Sequence, residues 1–423
     1  MNLKKSLHGF TPSATGARTV GLLLGTLALP VLADQAPGFA TDAKASINAR
    51  NFYINRNFVN PGYPQGKAEE WTQSFILDAR SGFTQGVVGV GVDVLGLYSV
   101  KLDGGRGTAN THLLPVHDDG RPADDFGRLG VAVKGKISKT ELKVGEWMPV
   151  LPILRADDGR SLPQTFRGGQ VTAQEIAGLT LYGGQMRGNS PRNDASMEDM
   201  TFAGGKSDRF NFVGGEYRFN QERSMVGLWR AELQDVYQQD YLQLTHRQPL
   251  GAWTLSANLG YFQGKEDGEA RAGDLDNKTW SGFFSAGLGG HTFTLGLQKV
   301  SGDSGWMRVN GTSGGSLAND SYNASYDNAH ERSWQLRHDY NFVALGIPGL
   351  TLMNRYISGD QVQVGAINDG KEWGRESELG YVVQSGPLKN LSVKWRNSTL
   401  RRDFSTLEFD ENRLIFNYAF SVL

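Results

Sequence analysis

The sequence predicts an all-β fold: a transmembrane antiparallel β-barrel of about 18 strands. Three observations carry this. Runs of alternating polarity recur along the chain, the chain ends on such a run, and the connections between runs alternate between short and long.

The first segment stands apart. Lys4, Lys5 and Arg18 form a positive start, Val20 to Leu29 an apolar core, and Val31-Leu32-Ala33 a small-residue cleavage site before Asp34. That is the pattern of a secretory leader, so residues 1–33 are expected to be removed and residues 34–423 to form a single barrel domain. The apolar core is about half the roughly 20 residues that a spanning helix needs.

The strands follow by parity. In Gly86–Ser99, Val88, Val90, Val92, Val94 and Tyr98 share one face, opposite Gly89, Gly91, Asp93 and Ser99. Ser333–Phe342 sets Trp334, Leu336, Tyr340 and Phe342 against Gln335, Arg337, Asp339 and Asn341, and Asn390–Ser398 sets Leu391, Val393 and Trp395 against Ser392, Lys394, Arg396 and Ser398. Met225–Leu233 reads as an apolar face of Met225, Trp229, Ala231 and Leu233 opposite Arg230 and Glu232. Each run is a strand with hydrocarbon on one side and water on the other. The runs centre near Ala49, Ile76, Val92, Val131, Leu142, Val171, Leu181, Phe212, Leu228, Leu242, Leu259, Phe284, Leu295, Leu336, Met353, Tyr381, Val393 and Phe416. Those near Val171 and Leu242 are the weakest, which leaves sixteen strands as an alternative.

At the C-terminus Leu414, Phe416, Tyr418, Phe420 and Val422 alternate with Arg413, Asn417, Ala419 and Ser421. An exposed amphipathic edge invites aggregation in a soluble domain, whereas in a barrel the last strand closes on the first. A closed sheet is also the only β solution in lipid, which offers the backbone no partners.

Gly289-Gly290 and Ser385-Gly386-Pro387 fit short turns, and Lys101–Asp125, Gly145–Gly169, Arg187–Ser207, Ser301–Glu331 and Asp360–Lys371 fit long loops. Connections this long argue against a compact soluble domain. Composition agrees: 55 Gly, 21 Phe, 14 Tyr and 9 Trp accompany low hydropathy, because only alternate residues meet lipid. The net charge of −1 excludes a typical nucleic-acid binder. The absence of cysteine excludes disulfides, thiol catalysis and thiolate metal sites.

Functional residues are sought on the wet face and in the loops. Lys394, Arg396, Arg413 and Arg337 fall inward by parity, and Arg50, Arg56 and Arg80 lie in or beside strand-like runs near the front of the chain. A line of guanidinium groups offers a carboxylate successive bidentate partners without a deep trap; inward charges that only solvate the lumen are the plainer reading. The segment GEWMPVLPILRADDGRSLPQTFRGG from Gly145 to Gly169 is too apolar for a solvated loop. Inside the barrel it would narrow the lumen and bring Leu151, Ile153, Leu154, Arg155, Asp157, Asp158 and Arg160 near the passage; packed on the rim it would be a lid. Ser301–Glu331, with Trp306, Arg308, Asp320, Tyr322, Tyr326 and Asp327, reads from composition as a flexible surface loop; folded inward it would set an acidic, tyrosine-lined face opposite the arginines. Asp118, Asp119, Asp124 and Asp125 read as a solvated acidic turn more simply than as a hard-cation site. The seven His are scattered, and HExxH does not occur.

Taken together, certain segments resemble the OprD-type substrate-specific porins, the outer-membrane carboxylate channel family. They are NARNFYINRNF, DARSGFTQGVVGVGVDVLGLY, LKVGEW with the proline-rich loop to LPQTFRGG, SWQLRHDYNF, GIPGLTLMNRYISG, ELGYVVQSGPLKNLSVKWR and NRLIFNYAFSVL. The resemblance implies a monomeric pore of the bacterial outer membrane, in contact with lipid and lipopolysaccharide and narrowed by the inward-folded third and seventh long loops, here Gly145–Gly169 and Ser301–Glu331. It also implies a basic ladder on the wall. Arg396 and Arg413 match ladder positions, Lys394 stands where Arg is usual, and Arg50, Arg56, Arg80 and Arg128 correspond by neighbourhood.

The expected activity is passive entry of small carboxylate-bearing solutes, anionic or aromatic acids, without catalysis, cofactor or energy source. The alternatives are a pore for basic amino acids or peptides, a barrel-embedded hydrolase, and a sealed adhesin or scaffold barrel.

Overall fold

The computed structural model describes residues 38–423; the expected leader lies outside the described residues. Eighteen strands form one antiparallel sheet, and it closes: Lys44–Phe58 pairs with Lys67–Arg80 on one side and with Phe409–Ser421 on the other. Each of the eighteen sequence-derived centres falls in a different strand of this ring, including the two weakest, in Thr165–Ala173 and Tyr237–Leu250.

The outer wall is apolar. Val88, Val90, Leu228, Leu242, Leu244, Leu295, Leu297 and Leu336 are exposed on it, a patch that would be untenable on a soluble monomer. Trp71, Trp280, Trp334 and Trp373 lie toward the long-loop rim, and Trp253, Tyr381 and Phe420 toward the short-turn rim, as interfacial girdles require.

One strand reverses the predicted phase. In Ser224–Leu233 it is Met225, Trp229, Ala231 and Leu233 that are buried inside the ring, while Leu228 is exposed and Arg230 faces outward, bonded to Asp240 and Gln238. The interior here is not wet. It holds an apolar core in which Phe166, Met186, Phe210, Phe212, Tyr237, Tyr241 and Phe262 from the wall pack against Leu151, Ile153, Leu154, Trp306, Met307, Val309 and Leu317 from two long loops.

The expected loop at Asp360–Lys371 is instead a hairpin: Leu350–Val364 and Ile367–Val382 run almost into each other around Gly365, whose φ of +58° suits a tight turn. Phe342, expected on the outer face of a strand, opens a short 3-10 turn over Phe342–Leu345. Residues 104–124, within the expected long loop Lys101–Asp125, tuck Leu113 and Leu114 against Phe52, Ile54, Phe126, Leu162 and Ile415.

Candidate functional site

Two long loops enter the ring. Residues 148–164 carry a small hairpin, Val150–Leu151 with Leu154–Arg155, whose leucines are seated in the apolar core. Residues 302–331 follow them inward, against the expectation from composition: Trp306, Met307, Val309 and Leu317 are buried, and burying such side chains gains roughly 1.5–3 kcal/mol each. Glycines on the wall let this loop come close. A Cβ on Gly296 would lie 2.6 Å from Asn319 Oδ1, and one on Gly374 would lie 2.5 Å from the Tyr326 hydroxyl.

Opposite the apolar core the wall is charged. Six strands contribute inward side chains: Arg50 and Arg56; Arg413 and Glu411; Lys394, Arg396 and Arg402; Glu372, Glu376 and Glu378; Arg355; and Arg337 with Asp339. Arg337 is in register with Arg355, and Arg396 with Arg413. Arg413, its side chain 1 % exposed, bonds Glu411 Oε1 at 2.5 Å and the loop at Asn323 Oδ1 at 2.7 Å. Arg56 shares Glu411 at 2.7 Å and stacks on Phe409. Arg396 Nε donates to Glu378 Oε2 at 2.5 Å, and Lys394 reaches the same carboxylate at 3.4 Å. Arg50 grips the third loop through Asp158 and the Arg160 carbonyl.

Tyr322 is where loop and wall meet. Its ring lies 4.0 Å from the Arg396 guanidinium, 4.9 Å from Arg355 and 5.7 Å from Arg413, and its hydroxyl donates to Glu378 Oε2 at 2.9 Å. The quadrupole of an aromatic face favours such cations, so this tyrosine sits on the arginine side rather than across from it.

Other expected residues take other places. Leu151, Ile153 and Leu154 anchor the loop in the apolar core instead of lining the passage, and Tyr326 is buried against Gly374. Arg128 clamps loops, donating to the Pro191, Asp194 and Pro163 carbonyls. Arg80 pairs with Asp78 near the short-turn rim, 63 % exposed and away from the loops. Arg160 is buried and donates to the Thr111 and Gly159 carbonyls; burial, then the charges of Arg413 and Arg192, holds it well below the usual arginine range. Asp157 pairs with Arg192, and Arg308 with Asp327 while lying over Trp306. Asp320 accepts from Ser325, and burial pushes its carboxyl up to about 6. The acidic turn resolves into ion pairs, Asp119 with Arg121 and Asp124 with Lys101.

Sequence reasoning missed Arg355, although the parity of Met353, Arg355 and Ile357 marks it as inward. It also missed Lys134 and Lys143, which share Asp93 at 2.7 and 2.6 Å. Ser224 Oγ lies 2.8 Å from His246 Nδ1 on the outer wall, with no carboxylate completing a triad among the described residues.

The description "outer membrane porin, OprD family" matches residues 37–422. The chain is 66 % identical to the porin-like protein GalP of Pseudomonas putida, over 96 % of this chain and 99 % of that one. A BenF-like porin from Pseudomonas fluorescens Pf-5 superposes with a TM-score of 0.90 at 71 % identity, covering 91 % of this chain and 100 % of its own. Pseudomonas aeruginosa OccK2 (OpdF), solved in complex with glucuronate, gives 0.84 at 66 % identity, with 92 % and 98 % covered. These relatives are porins, passive channels rather than enzymes. A ring of eighteen strands, two loops folded into it and a charged wall facing them place the chain in the OprD family of porins, in the bacterial outer membrane.

Proposed function

We propose that the protein passes small carboxylates by diffusion into the periplasm as a monomeric pore set in lipid and lipopolysaccharide, preferring anionic acids, aromatic ones included, to cationic solutes. The observation that carries this reading is the pair of like-charged register partners, Arg337 opposite Arg355 and Arg396 opposite Arg413. Each of the four also meets a carboxylate, Asp339, Glu376, Glu378 or Glu411, so a passing anion competes for these cations and is not trapped at any of them. The solute enters between the two folded loops and moves along Arg396 and Lys394, whose side chains stay 18 % and 38 % exposed, held weakly at each step so that flux continues, while the buried Arg413 secures loop and wall behind them. Arg50 and Arg56 support the path by fixing the loops. Glucuronate bound by OccK2 supports a carboxylate substrate.

The basic amino-acid reading is weaker here because Asp157, Asp158 and Asp327 are already engaged by Arg192, Arg50 and Arg308. A planar bilayer separates pores from sealed barrels, since a pore gives stepwise conductance. In liposomes, replacing Arg396 and Arg413 together by Ala is expected to reduce carboxylate flux more than that of a neutral sugar of similar size; equal losses would remove the ladder.

A further inference from the structure

Several connections at the short-turn rim carry charge or almost no side chain. Ser138-Lys139, residues 220–223 and residues 383–391 hold charged groups, and Gly289-Gly290 presents backbone alone. Residues 342–349 differ. Between Asp339 and Arg355 the chain has no charged side chain, and Val343, Leu345 and Ile347 are 55, 65 and 45 % exposed. Apolar side chains gathered in this way leave water when an adjoining apolar phase can take them.

The turn is built to leave water. Its 3-10 piece, Phe342–Leu345, starts on Asn341, whose side-chain oxygen accepts from the Val343 amide at 3.0 Å, and ends at Gly346 with a φ of +78°. The Gly346 amide donates to the Val343 carbonyl and the Ile347 amide to the Phe342 carbonyl, each at 3.0 Å. Pro348 has no amide hydrogen to satisfy. With these groups paired internally, moving the backbone out of water costs less.

Its direction is set by the strand before it. Trp334 and Leu336 are exposed on the outer wall, and parity places Tyr340 on the same side. Tyr340 meets Phe342 edge-on at 4.7 Å and His291 at 4.4 Å, and His291 stacks on the exposed Phe293 at 5.9 Å. This aromatic column carries the outer wall onto the turn. Side chains three apart in a 3-10 helix eclipse, so Leu345 stands over Phe342 on that side. The next strand resumes there, with Leu350 and Leu352 in phase with the exposed Tyr356.

We infer that residues 342–347 form an anchor seated in the periplasm-facing leaflet of the outer membrane, with phospholipid at its headgroup–acyl boundary as the partner. Short turns stand on the periplasmic side of such barrels. The inference concerns the barrel's hold on its membrane and goes beyond the choice of solute. Lipid is the occupant because the turn is continuous with the lipid-facing wall and carries no charge to steer a soluble protein. An apolar segment at this boundary sinks about 5–10 Å into it.

The chain has no cysteine, so Leu345→Cys gives a single site for a nitroxide label in the full protein, reconstituted in phospholipid liposomes. Collision with oxygen, which partitions into lipid, is read against collision with a water-soluble nickel chelate. Lys139→Cys, on a charged turn at the same rim, supplies the aqueous reference, and Leu336→Cys, on the outer wall, the lipid one. The oxygen-to-nickel ratio for Leu345→Cys is expected to exceed that of Lys139→Cys by about threefold, approaching that of Leu336→Cys, as immersion by about 5–10 Å requires. A ratio equal to that of Lys139→Cys overturns the anchor. So does a label shielded from both reagents, which would put a second copy of the chain on the turn. Single-channel conductance steps report that each variant is folded. Should Leu345→Cys fail to insert, Ile347→Cys, whose amide returns to the Phe342 carbonyl, takes its place with the same expected ratio and the same two overturning results.

Discussion

The two walls of the lumen are built from the same kind of strand and behave oppositely. On one, Phe262 stacks on Tyr241 at 3.9 Å and meets Trp306 edge-on at 5.2 Å, and the loops are held by dispersion and exclusion of water. On the other, Arg56 and Arg413 donate to Asn323, Glu378 accepts from the Tyr322 hydroxyl, and Arg50 pairs with Asp158. The apolar wall holds the loops by packing, and the charged wall buries Arg56 and Arg413 while leaving Arg396 and Lys394 partly exposed, 18 % and 38 %. A channel lined all round by either wall would be plugged or unconstricted.

The sharpest way to break this division is at the packed wall. Phe262→Ala is expected to cost about 3–5 kcal/mol of packing and to release residues 302–331, seen as larger and noisier conductance steps. An unchanged step size would mean that the ions alone position the loop. Next in size, Arg396→Ala on the charged wall is expected to lower carboxylate flux about tenfold at limiting concentration, in keeping with one charge-assisted contact, with conductance steps retained. Loss of the steps would give this wall a share in holding the loops open.

Much of this was legible in the sequence. Parity located every strand of the ring and the inward position of Arg396 and Arg413. It failed in Ser224–Leu233 because alternation says which residues share a face, while choosing that face assumes a wet interior; Trp229 and Leu233 meet the loop core instead. The hairpin at Gly365 was hidden by the polar, turn-rich composition around it. The partnerships were beyond reach for another reason. Arg56 and Glu411 are far apart in sequence, and only closure of the ring brings them together. Tyr322 among three arginines likewise depends on a loop whose composition reads as flexible.

A smaller effect sharpens the comparison by pH. Burial raises the Asp320 carboxyl to about 6, so its neutral form favours the inward loop. That contribution is whole below about pH 4 and is lost as pH rises through about 6. Between pH 5 and 7 a negative charge appears beside the cationic wall, and the anion preference of the open pore, measured as reversal potential, is expected to fall; Asp320→Asn is expected to flatten the change. The smallest effect is expected from Lys394→Arg, which replaces a point charge with a fork and should lower the half-saturation for carboxylates by about two- to threefold.

The Arg56–Glu411–Arg413 cluster straddles the seam between the first strand and the last. Neither a nascent chain nor a half-built sheet contains it. The final strand must arrive before Glu411 can neutralise Arg56, so shutting the ring and pairing that buried cation are one event.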